Sequence, residues 1–294
     1  MTAPQIFIVA TPIGNLEDLT PRALATLRSV DIIAAEDTRN TRKLLTHFNI
    51  TGKELVSYHD HSEEFRSQQL VDRLLRDGLS LALVSDAGTP CVADPGYRLV
   101  RLAKQHQIKV HPIPGASAVT SLVSASGLPS DRFLFVGFLP VKESDLRREI
   151  QSWIVMRASI IYFEPTRRLE SSLSLIAEIH PRAEVSVGRE LTKLFEEIET
   201  RPVAKMLEWA RNHATLKGEA VVMVHIGENV STSDVSDTAS AMLHVETSAR
   251  AGFAAGKSLK DLLKELGGLG LMRTELYQKL LEIKEALNEG DKDL

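Results

Sequence analysis

An open α/β sheet, a second α/β block and a short helical module form the architecture this 294-residue chain predicts. Three observations predict it. Over the first 115 residues, short apolar runs alternate with helical patterns, as in a mostly parallel sheet. Ala183–Gly188 and Phe195–Thr200 then follow each other too closely for an intervening helix, which points to antiparallel pairing. A Ser-, Thr- and Asp-rich stretch over 229–245 separates these blocks from a leucine-rich C-terminal segment and reads as a linker.

The strands of the first block are Ile6–Ala10, Ile32–Ala35, Leu55–Ser57, Leu79–Val84 and Val110–Ile113, short apolar runs with strand length. Helices fill the gaps. Thr20 can cap one, with Pro21 at its first position. Ser62 can cap another, with Glu63 and Glu64 favouring its dipole. Tyr97–His106 reads as a helix after the loop 85–96. The small, weakly polar stretch Gly115–Gly127 predicts a helix at the junction of two domains, broken by Gly127-Leu128-Pro129-Ser130. The second block carries strands at Phe133–Phe138, Ser159–Phe163, Ala183–Gly188, Phe195–Thr200 and Ala220–Ile226. Near the C-terminus Ser258 and Asp261 make a capping box before Leu262, Leu263 and Leu266. Gly267, Gly268 and Gly270 supply a turn. Thr274 can cap a last helix carrying Leu276, Leu280, Leu281, Ile283 and Leu287. That pattern fits a helix-turn-helix and a simple α-hairpin equally. The expected organisation is an α/β domain over 1–116, a second over 117–228, the linker 229–245, and a helical module over 246–294.

Composition narrows the class. The chain is 43% hydrophobic and 25% charged, as a soluble globular protein should be. No apolar run has the length of a membrane span, and Met1–Val9 lacks the features of a signal peptide. The single cysteine, Cys91, excludes an internal disulfide and a cysteine-cluster metal site. A cytoplasmic protein is expected. The net charge of −4 counts against a generic nucleic-acid binder, so any such role must rest on a local patch. Local basic groups exist at Arg39, Arg42 and Lys43, at Arg147 and Arg148, at Arg167 and Arg168, and at Lys257 and Lys260.

The most informative stretch is Ser85-Asp86-Ala87-Gly88-Thr89-Pro90-Cys91-Val92-Ala93-Asp94-Pro95-Gly96. It lies between a strand and a helix, at the carboxyl end where open α/β sheets bind ligands. Its glycines allow close approach and its prolines stiffen it. The first strand ends in Thr11-Pro12-Ile13-Gly14-Asn15-Leu16, where neither a dinucleotide fingerprint nor a P-loop is present. The second ends in Ala35-Glu36-Asp37-Thr38-Arg39, which can form a polar site or simply cap the next helix. His59-Asp60-His61 has no further ligands at suitable spacing, so a substrate loop or a solvated helix start is favoured over a metal. Gly115-Ala116-Ser117-Ala118, Glu164-Pro165-Thr166-Arg167-Arg168, Arg189-Glu190-Leu191-Thr192-Lys193 and Lys217-Gly218-Glu219 also sit at strand ends. Their shared position predicts a cleft between the two blocks.

Taken in chain order, Thr11–Leu16, Ala35–Arg39, His59–His61, Ser85–Pro90, Asp94–Gly96, Arg189–Lys193 and Lys217–Glu219 resemble the tetrapyrrole methylase superfamily, and within it the small-subunit ribosomal RNA methyltransferase I family. Gly127-Leu128-Pro129 and Gly137-Phe138-Leu139-Pro140 belong to the same series, which covers about residues 5 to 227. The C-terminal hairpin matches more weakly. The resemblance implies a two-domain tetrapyrrole-methylase-like (class III methyltransferase) fold, S-adenosylmethionine in the cleft, no metal, and a homodimer. It implies 2′-O-methylation of a cytidine ribose in the decoding centre of 16S rRNA, with small-subunit rRNA or the 30S subunit as partner. Ala87-Gly88-Thr89-Pro90 stands where the superfamily has Gly-Gly-Asp-Pro, and the first loop is poorer in glycine. Both departures argue against a porphyrinoid substrate. By position, Ile13, Ala87, Gly88, Thr89, Val92, Ser117, Ala118 and Phe163 should line the cofactor, with Glu164 the alternative to Phe163.

Methyl transfer from a sulfonium is an in-line displacement that depends on alignment. A ribose hydroxyl is a poor nucleophile, so a proton acceptor should help. Asp37 is the first candidate, followed by Asp94 and Glu36. Arg39, His59, Arg167, Arg189 and Lys193 are the candidate RNA contacts. Two other classes remain open: a small-molecule (tetrapyrrole-type) methyltransferase, and a non-catalytic RNA-binding factor of the same fold.

Overall fold

The computed structural model describes residues 3–59, 63–213, 218–227, 245–253, 257–266 and 273–290. Residues up to Ile226 form one compact unit; those from Gly227 onward form another.

In the first unit, β1 (Gln5–Val9), β2 (Ile32–Ala35), β3 (Glu54–Ser57), β4 (Ser80–Val84) and β5 (Lys109–Ile113) form one sheet in the order β3-β2-β4-β1-β5. Every pairing is parallel, as the alternation predicts. The helices between them are α1 (Pro21–Ser29), α2 (Thr38–His47), α3 (Glu63–Asp77) and α4 (Tyr97–Gln105). Thr20 caps α1, its hydroxyl accepting from Ala23 N at 3.2 Å, with Pro21 in the first turn. Strand parity divides the apolar residues between two cores. Ile6, Ile32, Ala34, Leu81 and Leu83 pack with Leu70, Leu74 and Leu99 of α3 and α4. Val9, Ile33, Ala35, Ala82 and Val84 pack with Ala23, Leu27 and Leu45 of α1 and α2. Burial on both faces is why β2 and β4 read as continuous apolar runs rather than alternating ones.

After α5 (Ala118–Ala125) the second sheet runs β6-β7-β10-β8-β9. Its strands are β6 (Phe133–Phe138), β7 (Ser159–Pro165), β8 (Glu184–Arg189), β9 (Glu197–Pro202) and β10 (Glu219–His225). β6 and β7 are parallel, and β7, β10, β8 and β9 pair antiparallel in turn. The β8–β9 hairpin bears out the close spacing, but β9 starts two residues later than expected. Phe195 and Glu196 belong to the turn instead. Helices α6 (Glu143–Ser152), α7 (Leu169–Ile179) and α8 (Val203–Asn212) cover one face, over Ile160, Tyr162, Val222 and Val224. α5 covers the other through Val119 and Leu122, against Ile161, Val221 and Met223.

The second unit contains α9 (245–253), α10 (Leu259–Glu265) and α11 (Arg273–Gly290). Val245, Ala249, Leu262, Leu266, Leu276, Leu280 and Ile283 form its core. The Ser258–Asp261 capping box is present on α10 in both directions. α9 is an element the sequence reading did not place. The linker lies outside the described residues except for Val245, which starts α9. The glycine turn and the side chains of Thr274 and Leu287 also lie outside them.

Candidate functional site

The loop 85–96 leaves β4 at its carboxyl end and is stitched to the loop after β1. Thr11 N donates to Gly88 O at 2.8 Å, Gly88 N donates to Thr11 O at 3.0 Å, and the Thr11 hydroxyl donates to Ser85 O at 3.2 Å. Thr89 Oγ1 donates to Ala116 O at 3.4 Å, which ties the loop to the segment before α5. Cys91 (φ 69°) and Ala93 (φ 61°) hold left-handed backbone, a conformation that costs non-glycine residues energy and gathers at functional loops. Burial pushes the Cys91 thiol up to about 11, aided by Glu63 and Asp94.

The loop's far end is anchored in a way the sequence did not reveal. Gly96 is the N-cap of α4 and carries no side chain to cap it. The buried carboxylate of Glu63, at the start of α3, accepts instead from Gly96 N at 3.0 Å and Arg98 N at 3.2 Å. The Tyr58 hydroxyl donates to the same oxygen at 3.2 Å. Glu63 reads in sequence as a first-turn dipole residue of α3, whereas its carboxylate serves the next helix.

Between the two sheets lies a cavity of about 750 Å³, within the range of small-molecule sites. Ile13, Ala87, Gly88, Thr89 and Val92 line it from the first sheet's loops, Ser117 and Ala118 from the start of α5, and Phe163 from β7. All eight are sequence-predicted cofactor contacts. Glu36 and Asp94 also line it; Asp37 and Glu164 do not. Phe138, Gly188, Ala220 and Val221, which sequence reasoning did not name as cofactor contacts, also line it from the second sheet. The register shift between Phe135 and Phe138, with Gly137 at φ 72°, re-aims Phe138 toward Phe163, whose ring centroid lies 5.5 Å away.

Asp37 is absorbed by local structure. Its side chain caps α2, accepting from Arg39 N at 2.8 Å, and pairs with the Arg39 guanidinium at 2.6 Å. The Arg39 hydrogen bonds hold its carboxyl down to about 2, which makes it a weak proton acceptor. Asp86, which lines the cavity, is tied to this helix start: its carboxylate accepts from Asp37 N at 3.1 Å and Asn40 Nδ2 at 3.0 Å. Asp86 N in turn donates to Glu36 Oε2 at 3.4 Å.

Pleat parity separates Phe163 from Glu164. Phe163 packs with Phe135 and Phe138 on the cavity side. Glu164 points the other way and is fully buried beside Arg168, whose Nε lies 3.2 Å from Glu164 Oε1. Neither Glu164 oxygen has a well-aligned hydrogen-bond donor. Desolvation pushes its carboxyl up to about 7, outweighing the downward pull of Arg168 and Ser172. Arg168 also donates to Leu139 O at 3.3 Å and Pro140 O at 2.7 Å, and so holds the chain just after Phe138.

The β8–β9 turn forms a rim. Asn15 N donates to Thr192 Oγ1 at 3.0 Å, and Lys193 pairs with Glu190 at 3.0 Å; both members of that pair line the cavity. Of the predicted RNA contacts, Lys193 lies on this rim and Arg189 is bound to Glu197 at 2.5 Å. Arg39 is exposed but paired; Arg167, after β7, and His59, after β3, are exposed outside the cavity lining. Asp60, His61 and Lys217 lie outside the described residues. Among those described, no group of three His, Cys, Asp or Glu is placed to hold a metal, and no helix is long and apolar enough to cross a membrane.

The family model for Tetrapyrrole (Corrin/Porphyrin) Methylases matches residues 5–207. A protein of Vibrio cholerae serotype O1 named ribosomal RNA small subunit methyltransferase I is 48% identical over 83% of this chain and 85% of its own length. One of the same name from Halalkalibacterium halodurans is 43% identical over 89% and 90%. Uroporphyrin-III C-methyltransferase from Thermus thermophilus, solved in complex with S-adenosylhomocysteine, shares the fold at a TM-score of 0.52 and 17% identity, over 76% of this chain and 97% of that one.

Proposed function

The chain belongs to the tetrapyrrole methylase family and, within it, to the ribosomal RNA small subunit methyltransferase I family, and from that membership we propose that it transfers a methyl group from S-adenosylmethionine to the ribose 2′-hydroxyl of a cytidine in the decoding centre of 16S rRNA. The observation that carries the cofactor assignment is the cavity's mixed wall. Ile13, Val92, Ala118, Phe163 and Val221 provide apolar surface for a purine. Glu36, Asp86, Asp94, Glu190 and Glu219 bring carboxylates, which suit a cationic sulfonium and the hydroxyls of a ribose. The relative solved with S-adenosylhomocysteine supports the same choice. The relatives' shared name supports small-subunit rRNA as the substrate class.

When bound, S-adenosylmethionine supplies an electrophilic methyl on a sulfonium. A ribose 2′-hydroxyl that accepted this methyl would give up its proton. The chain's task is to align oxygen and methyl carbon and to receive that proton. Glu36 and Asp94, which line the cavity where Asp37 does not, are the acceptors that placement supports. Asp37 orients Arg39 and caps α2. Glu36→Gln is expected to lower kcat about 100-fold. Asp37→Asn keeps a capping side chain and should cost far less. Steady-state rates of the two purified variants check this; equal losses would return the acceptor role to Asp37.

The reaction itself is tested with labelled S-adenosylmethionine and small subunits from cells lacking the protein. Label recovered on a 2′-O-methylcytidine of the decoding centre is the expected result. Cofactor binding without label on subunits or free rRNA would favour a small-molecule methyltransferase. Absence of cofactor binding would favour a non-catalytic RNA-binding factor.

A further inference from the structure

We propose that the exposed basic face of α2 is the track along which the RNA phosphodiester backbone enters the cavity. The proposal rests on the rRNA reading above and adds a surface that the reading does not assign. α2 carries Arg39, Arg42, Lys43 and His47 and not one carboxylate. Positions 39, 42, 43, 46 and 47 recur at helical spacing, so they share one face, and all five residues are exposed. From residue 39 to residue 47 the stripe is about 12 Å long. Arg39 is committed to Asp37. Among the described residues Arg42, Lys43 and His47 make no ion pair, whereas Arg73, Arg98, Arg147 and Arg211 are matched to glutamates. In a chain of net charge −4, Arg42 and Lys43 side by side without ion-pair partners form a local positive field.

The stripe is also physically continuous with the cavity. Asp86 lines both the cavity and a small depression formed with Thr11, Asn40, Lys43 and Leu44. Lys43 in turn belongs to a third, shallow depression with Arg39, Arg42, Thr46 and His47. The three hollows form a chain from the cavity along α2. The charge changes along it. Carboxylates outnumber the single lysine of the cavity wall, which would repel a phosphate, whereas the outer hollow is lined by Arg39, Arg42, Lys43, Thr46 and His47, with no carboxylate among them. A polyanion whose one ribose reaches into an acidic cavity needs its flanking phosphates held outside it, and the α2 face offers that hold.

The test is the double variant Arg42→Gln/Lys43→Gln in the full chain, assayed for methyl transfer to undermethylated small subunits across a salt series. The expected result is a KM for RNA at least about tenfold higher, with kcat at saturating RNA and the KM for S-adenosylmethionine unchanged. The slope of log affinity against log salt should become shallower by about 1.4, roughly 0.7 for each lost single-strand phosphate contact. Arg42→Lys should keep most of the wild-type slope. A wild-type RNA KM and salt slope in the double variant would overturn the proposal. So would a loss confined to the cofactor KM, or one explained by a change in oligomeric state on sedimentation. If the wild-type protein itself methylates no RNA, the functional reading fails and this surface falls with it. An active wild type with an indifferent double variant removes the surface alone.

Discussion

Gly96→Ala should destabilise the protein by roughly 3–5 kcal/mol and abolish tight cofactor binding. Two costs combine. At φ 141° the backbone lies where an L side chain is strained. An added Cβ would also fall 2.5 Å from Cys91 Sγ and 2.6 Å from Leu83 Cδ2. Neither neighbour can yield easily. Cys91 is already in left-handed backbone, and Leu83 is part of the buried core under α3 and α4. Any shift of residue 96 also pulls its N–H from Glu63 and leaves a buried carboxylate short of a donor, a further penalty. Because residues 87–89 and 92–94 line the cavity from the same loop, the strain reaches the proposed cofactor cavity directly. Gly127→Ala is the control: its φ is 71°, yet nothing lies within 4 Å of the added atom, so only the backbone cost of about 1 kcal/mol applies. Urea unfolding of both variants, with calorimetric titration of S-adenosylmethionine, measures the difference. Equal stabilities would show that the packing around Cys91 carries no weight.

Arg168→Ala should cost about 3–5 kcal/mol above neutral pH, because it strips a buried carboxylate of its counter-charge. It also leaves the carbonyls of Leu139 and Pro140 without a donor. The cost should shrink toward pH 5. The folded carboxyl of Glu164 sits at about 7, above its ordinary 4.5. A raised folded value means that the protonated form stabilises the fold: its contribution is complete below about 4.5 and is lost as pH rises through 7. Removing Arg168 takes away a charge that pulls the value down, so the variant suffers most where Glu164 must ionise. Glu164→Gln, neutral at every pH, should abolish this dependence. Paired unfolding curves at pH 5 and pH 8 for the wild type and both variants give the answer, and a pH-independent penalty in Arg168→Ala would exclude titration of Glu164. Freeing residues 139–140 should also let Phe138 drift and weaken cofactor binding.

Much of the fold was legible in the chain because its signals are local. A strand buried on both faces must be apolar throughout, as Ile32–Ala35 is, and a helix start needs a cap, as Thr20 and Ser258 supply. The parallel first sheet follows from the alternation of such segments, and the β8–β9 hairpin from the lack of room for a helix between them. The cavity-lining positions were legible for a related reason: Ile13, Ala87, Gly88 and Ser117 sit in strand-end loops, and parallel topology gathers those loops at one edge.

What remained required the folded molecule, because it turns on distances between residues far apart in the chain or on the sense of a pleat. Sequence left Phe163 and Glu164 as alternatives; the parity of β7 sends Phe163 to the cavity and Glu164 to the opposite core. The bulge at Gly137 brings Phe138 round to the same wall. Glu63 serves α4 from 33 residues away, and the α2 stripe gains meaning only beside the cavity it leads to. Composition, periodicity and capping are properties of neighbouring residues, and the sequence determined them alone. Whether a carboxylate caps a helix, lines a cavity or lies buried depends on what packs against it, and for Asp37, Glu36 and Glu164 only the tertiary structure decided that.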